Sequence, residues 1–160
     1  MSTTATPIPP QQSSTTRLTE VFLHGVCSLF GLLFVYAAAN KLMEYDKFLL
    51  QMSKSPIITD FASIFVWMIP ALEIVISIML FVESLRLLGL FASLALMSLF
   101  TAYIYAILKF SDTMPCSCGG ILEKLGWEEH LIFNIVFVVL AIVGIVLQTK
   151  IEENNKARQR

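Results

Sequence analysis

Four long apolar runs dominate the chain, and polar residues fall between them rather than among them. They extend from Val21 to Ala39, Phe61 to Val82, Leu87 to Leu108 and Leu131 to Leu147. Each holds about 17–22 residues, the number a helix needs to cross a hydrocarbon core of about 30 Å. Amphipathic helices of a soluble domain keep a polar face, and these runs barely have one. The pattern predicts an all-α integral membrane protein, a bundle of four transmembrane helices.

The links between the runs differ in kind. Glu83-Ser84-Leu85-Arg86 joins the second and third runs as a tight hairpin. The first link, Asn40 to Asp60, is longer. Leu42, Tyr45, Phe48, Leu49 and Met52 recur in it at helical spacing, with Lys41, Glu44, Lys47 and Lys54 at other positions. That pattern predicts an amphipathic interfacial segment between helices 1 and 2, closed by Ser55-Pro56. The third link, Lys109 to His130, carries two cysteines, two glycines and Trp127.

Met1 to Thr16 is rich in Ser, Thr, Pro and Gln, and residues 1–18 read as a disordered tail. No basic stretch precedes an apolar core there, so the first run reads as a retained helix rather than a cleaved leader. Residues 19–149 form the expected membrane domain, and residues 150–160 a charged cytoplasmic tail.

Composition agrees with lipid as the solvent. Hydrophobic residues make up 56% of the chain and charged ones 14%, against about 45–50% and about 25% in soluble domains. A net charge of −1 gives no reason to expect nucleic acid as a partner. Lys and Arg are divided six to five between the two ends of the bundle: Arg17, Arg86, Lys150, Lys156, Arg158 and Arg160 against Lys41, Lys47, Lys54, Lys109 and Lys124. The excess places both termini in the cytoplasm and the cysteine-bearing loop outside it.

Three cysteines are too few for a disulfide scaffold, and no Cys/His spacing matches a zinc site. Nucleotide-binding and haem motifs are also missing. Cys27 lies in an apolar run and reads as a packing residue. Cys116 and Cys118 sit in Pro115-Cys116-Ser117-Cys118-Gly119-Gly120. A disulfide across one residue closes a tight ring, and strain makes such a bond easier to reduce. Gly119 and Gly120 let the chain turn and a partner approach. The pair is the candidate catalytic site for thiol–disulfide exchange. The bland alternatives are two idle loop cysteines or a static disulfide.

Glu73 lies within the second run, just beyond Pro70. An acid inside a membrane is a functional candidate by default, and its alternative is a structural hydrogen bond. Its depth decides its partner. Counted from Phe61 it lies about 18 Å down the helix, but only about 9 Å below Trp67 taken as an interfacial residue. On the second count Glu73 faces the interior and nearly meets Lys41. A supporting polar cluster is then expected near one end of the bundle: Asn40, Lys41, Glu73, Tyr103, His130 and Asn134. His130 and Asn134 are four apart and share a helix face. Tyr105 approaches the same end of the third run. Gly89 and Ser93 form a small-xxx-small pair suited to close helix packing.

Asn40-Lys41-Leu42, Ser55-Pro56, Pro70 with Glu73 and Cys116-Ser117-Cys118-Gly119 together resemble the MauE branch of the DoxX-like membrane proteins. Glu129-His130-Leu131-Ile132-Phe133-Asn134 is similar to Bacteroidota-type members. The resemblance covers roughly Thr19 to Leu147. It implies a four-helix inner-membrane protein associated with redox processes. MauE itself is linked to methylamine utilisation and maturation of a disulfide-rich subunit, and DoxX relatives to quinone-linked sulfur oxidation. Many MauE-like chains continue the cysteine pair with Phe-Gly, where this one has Gly119-Gly120.

The leading expectation is a membrane thiol–disulfide redox protein. It would pass electrons between an extracytoplasmic redox partner protein and a membrane carrier, with a quinone as the candidate. The rival is a non-enzymatic scaffold or lipid-binding subunit with a structural cysteine pair. A third reading is a small transporter with Glu73 as a proton site.

Overall fold

The computed structural model describes residues 14–53, 61–110 and 126–158, and every regular element among them is helical. The helices are α1 (Ser14–Met43), α2 (Tyr45–Ser53), α3 (Ala62–Phe81), α4 (Arg86–Phe110) and α5 (Trp127–Arg158). α1, α3, α4 and α5 are long and apolar enough to cross a membrane. A 3₁₀ turn at Glu83–Leu85 makes the hairpin between α3 and α4.

Two ends differ from the sequence reading. The segment expected as a tail to residue 18 is helical from Ser14, and α5 continues past Leu147 to Arg158. Once a helix is nucleated, each further residue adds a hydrogen bond at small entropic cost. Polar flanks therefore extend the helices that the apolar runs start. Gln148 Nε2 donates to Glu152 Oε1 one turn on, at 2.8 Å, within that extension.

The long helices alternate in direction and neighbour one another in the order α1, α3, α4, α5, with α5 returning to α1. Leu23, Phe30, Phe34, Leu80, Leu90 and Ala141 are the heart of the core. Phe30 meets Phe137 edge-on at 5.2 Å between ring centroids. Leu32, Val75, Leu88 and Val139 point outward and are exposed. In water they would form a large sticky surface; against lipid they need no cover. This explains helices that are apolar on every side.

Small residues set the helix spacing where lipid supplies no hydrophobic drive between helices. Ser77 Oγ of α3 donates to the Gly31 carbonyl of α1 at 3.1 Å. A Cβ on Gly89 would sit 3.1 Å from the Leu80 backbone nitrogen, so glycine lets α4 lie close to α3. Ser93 is fully buried and turns its hydroxyl to the Gly89 carbonyl at 2.8 Å. Gly89 thus lies in a tight seam of the kind the small-xxx-small spacing predicts, with Ser93 buried one turn on.

α2 folds its apolar side onto α3. Phe48 and Met52 are buried with Ala62 and Val66, and Tyr45, Leu49 and Ile69 pack around them. Asp46, Leu50 and Ser53 remain exposed. The amphipathic pattern in the first link therefore forms a real helix at the α3 start. Ser55-Pro56, expected to close it, lies outside the described residues.

Candidate functional site

α1 carries Asn40 and Lys41 in its last turns, at the end of the bundle where α3 begins. Pro70 stands inside α3. It has no N–H to bond the carbonyl one turn earlier, which loosens the helix there without ending it. Glu73 follows three residues later and is fully buried. Lys41 Nζ reaches down and donates to Glu73 Oε1 at 2.7 Å. The Lys41 ammonium also lies 5.9 Å from the centroids of both Phe48 and Phe100. Rings at that distance attract a cation through their quadrupoles. The lysine is thus held between a carboxylate and two aromatic faces.

Around the pair is a cavity of about 360 Å³. Phe34, Leu96, Met97 and Phe133 give it apolar walls, and Phe48 and Met52 of α2 close one side. Its rim includes Tyr36, Met68, Leu72 and Leu99, which are all exposed on the bundle's apolar exterior. The cavity therefore communicates with the lipid-facing surface. Asn40, Lys41, Glu73, Tyr103, His130 and Asn134, the six polar residues singled out from the sequence, all line it.

Three polar atoms of these residues have no hydrogen-bond partner among the described residues. They are Asn40 Nδ2, Glu73 Oε2 and Asn134 Nδ2. Asn134 is 3% exposed and Glu73 0%. A buried polar group left unpaired costs about 1–3 kcal/mol, so three lining one cavity is an unusual concentration. Two are amide donors and one is a carboxylate acceptor.

Not every expectation falls here. Tyr105 is exposed on the outer face of α4 and lies away from the cavity. It stands two residues from Tyr103, and a helix turns the two to nearly opposite sides. Cys27 is buried in the core beside Val26 and Phe30. Cys116 and Cys118 lie outside the described residues. The chain between them and the helices leaves from Phe110 of α4 and returns at Trp127 of α5, at the end of the bundle that holds Lys41 and His130.

One buried charge was not singled out from the sequence. Arg86 opens α4 at the far end of the bundle, only 8% exposed, with Nε unpaired among the described residues and Glu83 3.9 Å from its Nη2. In the sequence it looks like a hairpin surface charge. Only the packing around the α4 start reveals its burial.

An antiparallel ring of four apolar helices, with an ion pair and two asparagine side chains held inside it, defines a polytopic membrane protein. Residues 19–147 match the family described as Methylamine utilisation protein MauE. The chain belongs to that family, over the same stretch that the short motifs suggest. No curated protein and no solved structure matches it.

Proposed function

We propose that this MauE-family protein is a membrane thiol–disulfide redox protein. Cys116 and Cys118 form the exchanging pair, outside the cytoplasm, and both termini lie inside. The pair's disulfide oxidises two thiols of an extracytoplasmic partner and is itself reduced to two thiols. A carrier dissolved in the bilayer, for which a quinone is the candidate, then takes two electrons and two protons and restores the disulfide. In methylamine utilisation, which the family description names, the partner would be a disulfide-containing protein undergoing maturation.

The observation that supports this reading is the lipid-accessible polar cavity at the end of the bundle from which the α4–α5 connection departs. Thiol oxidation releases protons with its electrons. Titratable groups within the membrane and open to a lipid-soluble acceptor suit that task.

The test follows the redox state of Cys116 and Cys118 by alkylation mass shift in native membranes. The disulfide fraction should rise when an oxidised quinone is supplied and fall with a dithiol reagent. The Cys116→Ser, Cys118→Ser double variant should insert and fold yet fail to complement a deletion strain. Full complementation by that variant would refute the redox reading in favour of a scaffold with a structural cysteine pair.

A further inference from the structure

The geometry points to a binding site for the carbonyl head of an uncharged, lipid-soluble molecule in the cavity between α1, α3, α4 and α5, with the Asn40 and Asn134 amides as its donors. Three properties of the cavity select this chemistry. Its size, about 360 Å³, lies in the range of small-molecule sites of about 300–1,000 Å³, which are mostly apolar with a few placed polar groups. Its rim opens between exposed apolar residues such as Leu72 and Leu99. A ligand arriving from the bilayer can therefore leave its tail in lipid while its head goes in.

The polar groups then define the head. Asn40 Nδ2 and Asn134 Nδ2 are buried N–H donors without partners among the described residues, on α1 and α5 respectively. They need acceptor oxygens. Charge narrows the choice. The two carboxylates along the cavity are paired with its two ammonium groups, Lys41 with Glu73 at 2.7 Å and Lys47 with Glu44 at 3.4 Å. A fatty carboxylate would add an uncompensated anion beside Glu73, and a buried unpaired charge is costly. A neutral carbonyl adds none. A ring with a carbonyl on each of two sides, as in a quinone, can meet donors on two different helices.

The third unpaired atom fits the reduced form of such a molecule. Glu73 Oε2 is an acceptor, and a quinol presents an O–H where the quinone presented a carbonyl. Identifying the ligand as an electron carrier rests on the redox reading above. On that reading the ring gains two electrons and two protons, all supplied as the Cys116–Cys118 dithiol becomes a disulfide. The cavity itself stands on its own geometry.

The experiment is a calorimetric titration of the full chain in phosphatidylcholine nanodiscs with two probes. One is a benzoquinone with a short isoprenoid tail; the other is a monoacylglycerol, a neutral ester lipid. The quinone should bind saturably. Asn134→Leu should weaken it about fivefold and the Asn40→Leu, Asn134→Leu pair more than about twentyfold. The Asn134→Leu protein should melt no lower than the parent, since the buried amide nitrogen it loses has no partner among the described residues. Gln148→Leu removes a buried amide outside the cavity and should leave affinity unchanged. If the double variant misassembles, Ala37→Leu, which fills the cavity from α1, should abolish binding in its place. Binding of the monoacylglycerol alone, with the same losses, would keep the site and overturn its role for an electron carrier. Binding of neither probe, or binding that the double variant and Ala37→Leu leave intact, would overturn the site. In that case cycling of the cysteines would still decide the redox reading separately.

Discussion

Lys41 and Glu73 stand 32 positions apart in the sequence and 2.7 Å apart in space, the lysine descending from the end of α1 to a carboxylate buried in α3. The contact agrees with a depth counted from Trp67, which packs on Tyr45 of α2 at 5.3 Å between rings. It also fixes α1 against α3 at the level of the cavity. Two charges taken out of water together are a poor source of net stability, but leaving either one alone is worse.

That asymmetry gives the first prediction. Lys41→Met and Glu73→Met should each destabilise the bundle by about 3–5 kcal/mol, read from reversible unfolding in detergent. The Lys41→Met, Glu73→Met double variant should recover most of that loss, because two apolar side chains replace two charges. Additive losses in the double variant would show that the residues are not coupled and that the pair does not hold the helices together.

The second prediction concerns the α3–α4 seam. Gly89→Leu places a branched side chain where even a Cβ would lie 3.1 Å from the Leu80 backbone nitrogen. Backbone cannot swing aside as a side-chain tip can. Overpacking of this kind costs typically about 1–3 kcal/mol, and the loss should appear as a lower melting temperature. Leu88→Ala next to it removes an exposed, outward-facing side chain and should change stability little. Equal melting of the two variants would count against the tight seam.

How much of this was legible in the sequence depended on which force decides each feature. The four spans were plain because bilayer thickness fixes their length and composition. Their ends were not, since helix propagation carries α1 back to Ser14 and α5 on to Arg158 through polar residues. The Lys41–Glu73 contact was readable because an acid inside a membrane needs a partner and depth limits the choice. Tyr103 and Tyr105 were grouped together, although helical geometry alone separates them. The cavity was not readable: its walls come from Phe34, Phe48, Phe100 and Phe133 on four helices, and only tertiary packing shows that they leave a space between them. Burial of Arg86 was hidden for the same reason.

A third prediction tests the part α2 plays. Phe48 is 4% exposed, packs on Ala62 and Val66, and closes one side of the cavity near Lys41. Phe48→Ala should cost about 3–5 kcal/mol as a large-to-small core change. Proteolysis between α1 and α3 should become faster as α2 loses its anchor. Leu50→Ala, on the exposed side of the same short helix, should do neither. Unchanged proteolysis in Phe48→Ala would mean that α2 is held by something other than its apolar face.

The last prediction fixes the orientation proposed for the bundle. The start of α1, the α3–α4 hairpin and the end of α5 lie at one end, with Arg17, Arg86, Lys150, Lys156 and Arg158 on that side. Positive residues close to membrane spans favour the cytoplasm, which sends the opposite end, and the connection from Phe110 to Trp127, outward. Cysteine labelling can decide this cleanly, because Cys27 is only 3% exposed within the helix core and should not react with a bulky reagent. A membrane-impermeant maleimide, applied to intact cells after mild reduction, should therefore label Cys116 and Cys118 alone. The Cys116→Ser, Cys118→Ser variant should take up no label, which controls for leakage and for any exposure of Cys27. Labelling that appears only after the membrane is permeabilised would invert the topology. It would also put the cysteine pair on the cytoplasmic side, out of reach of the partner that the redox proposal requires.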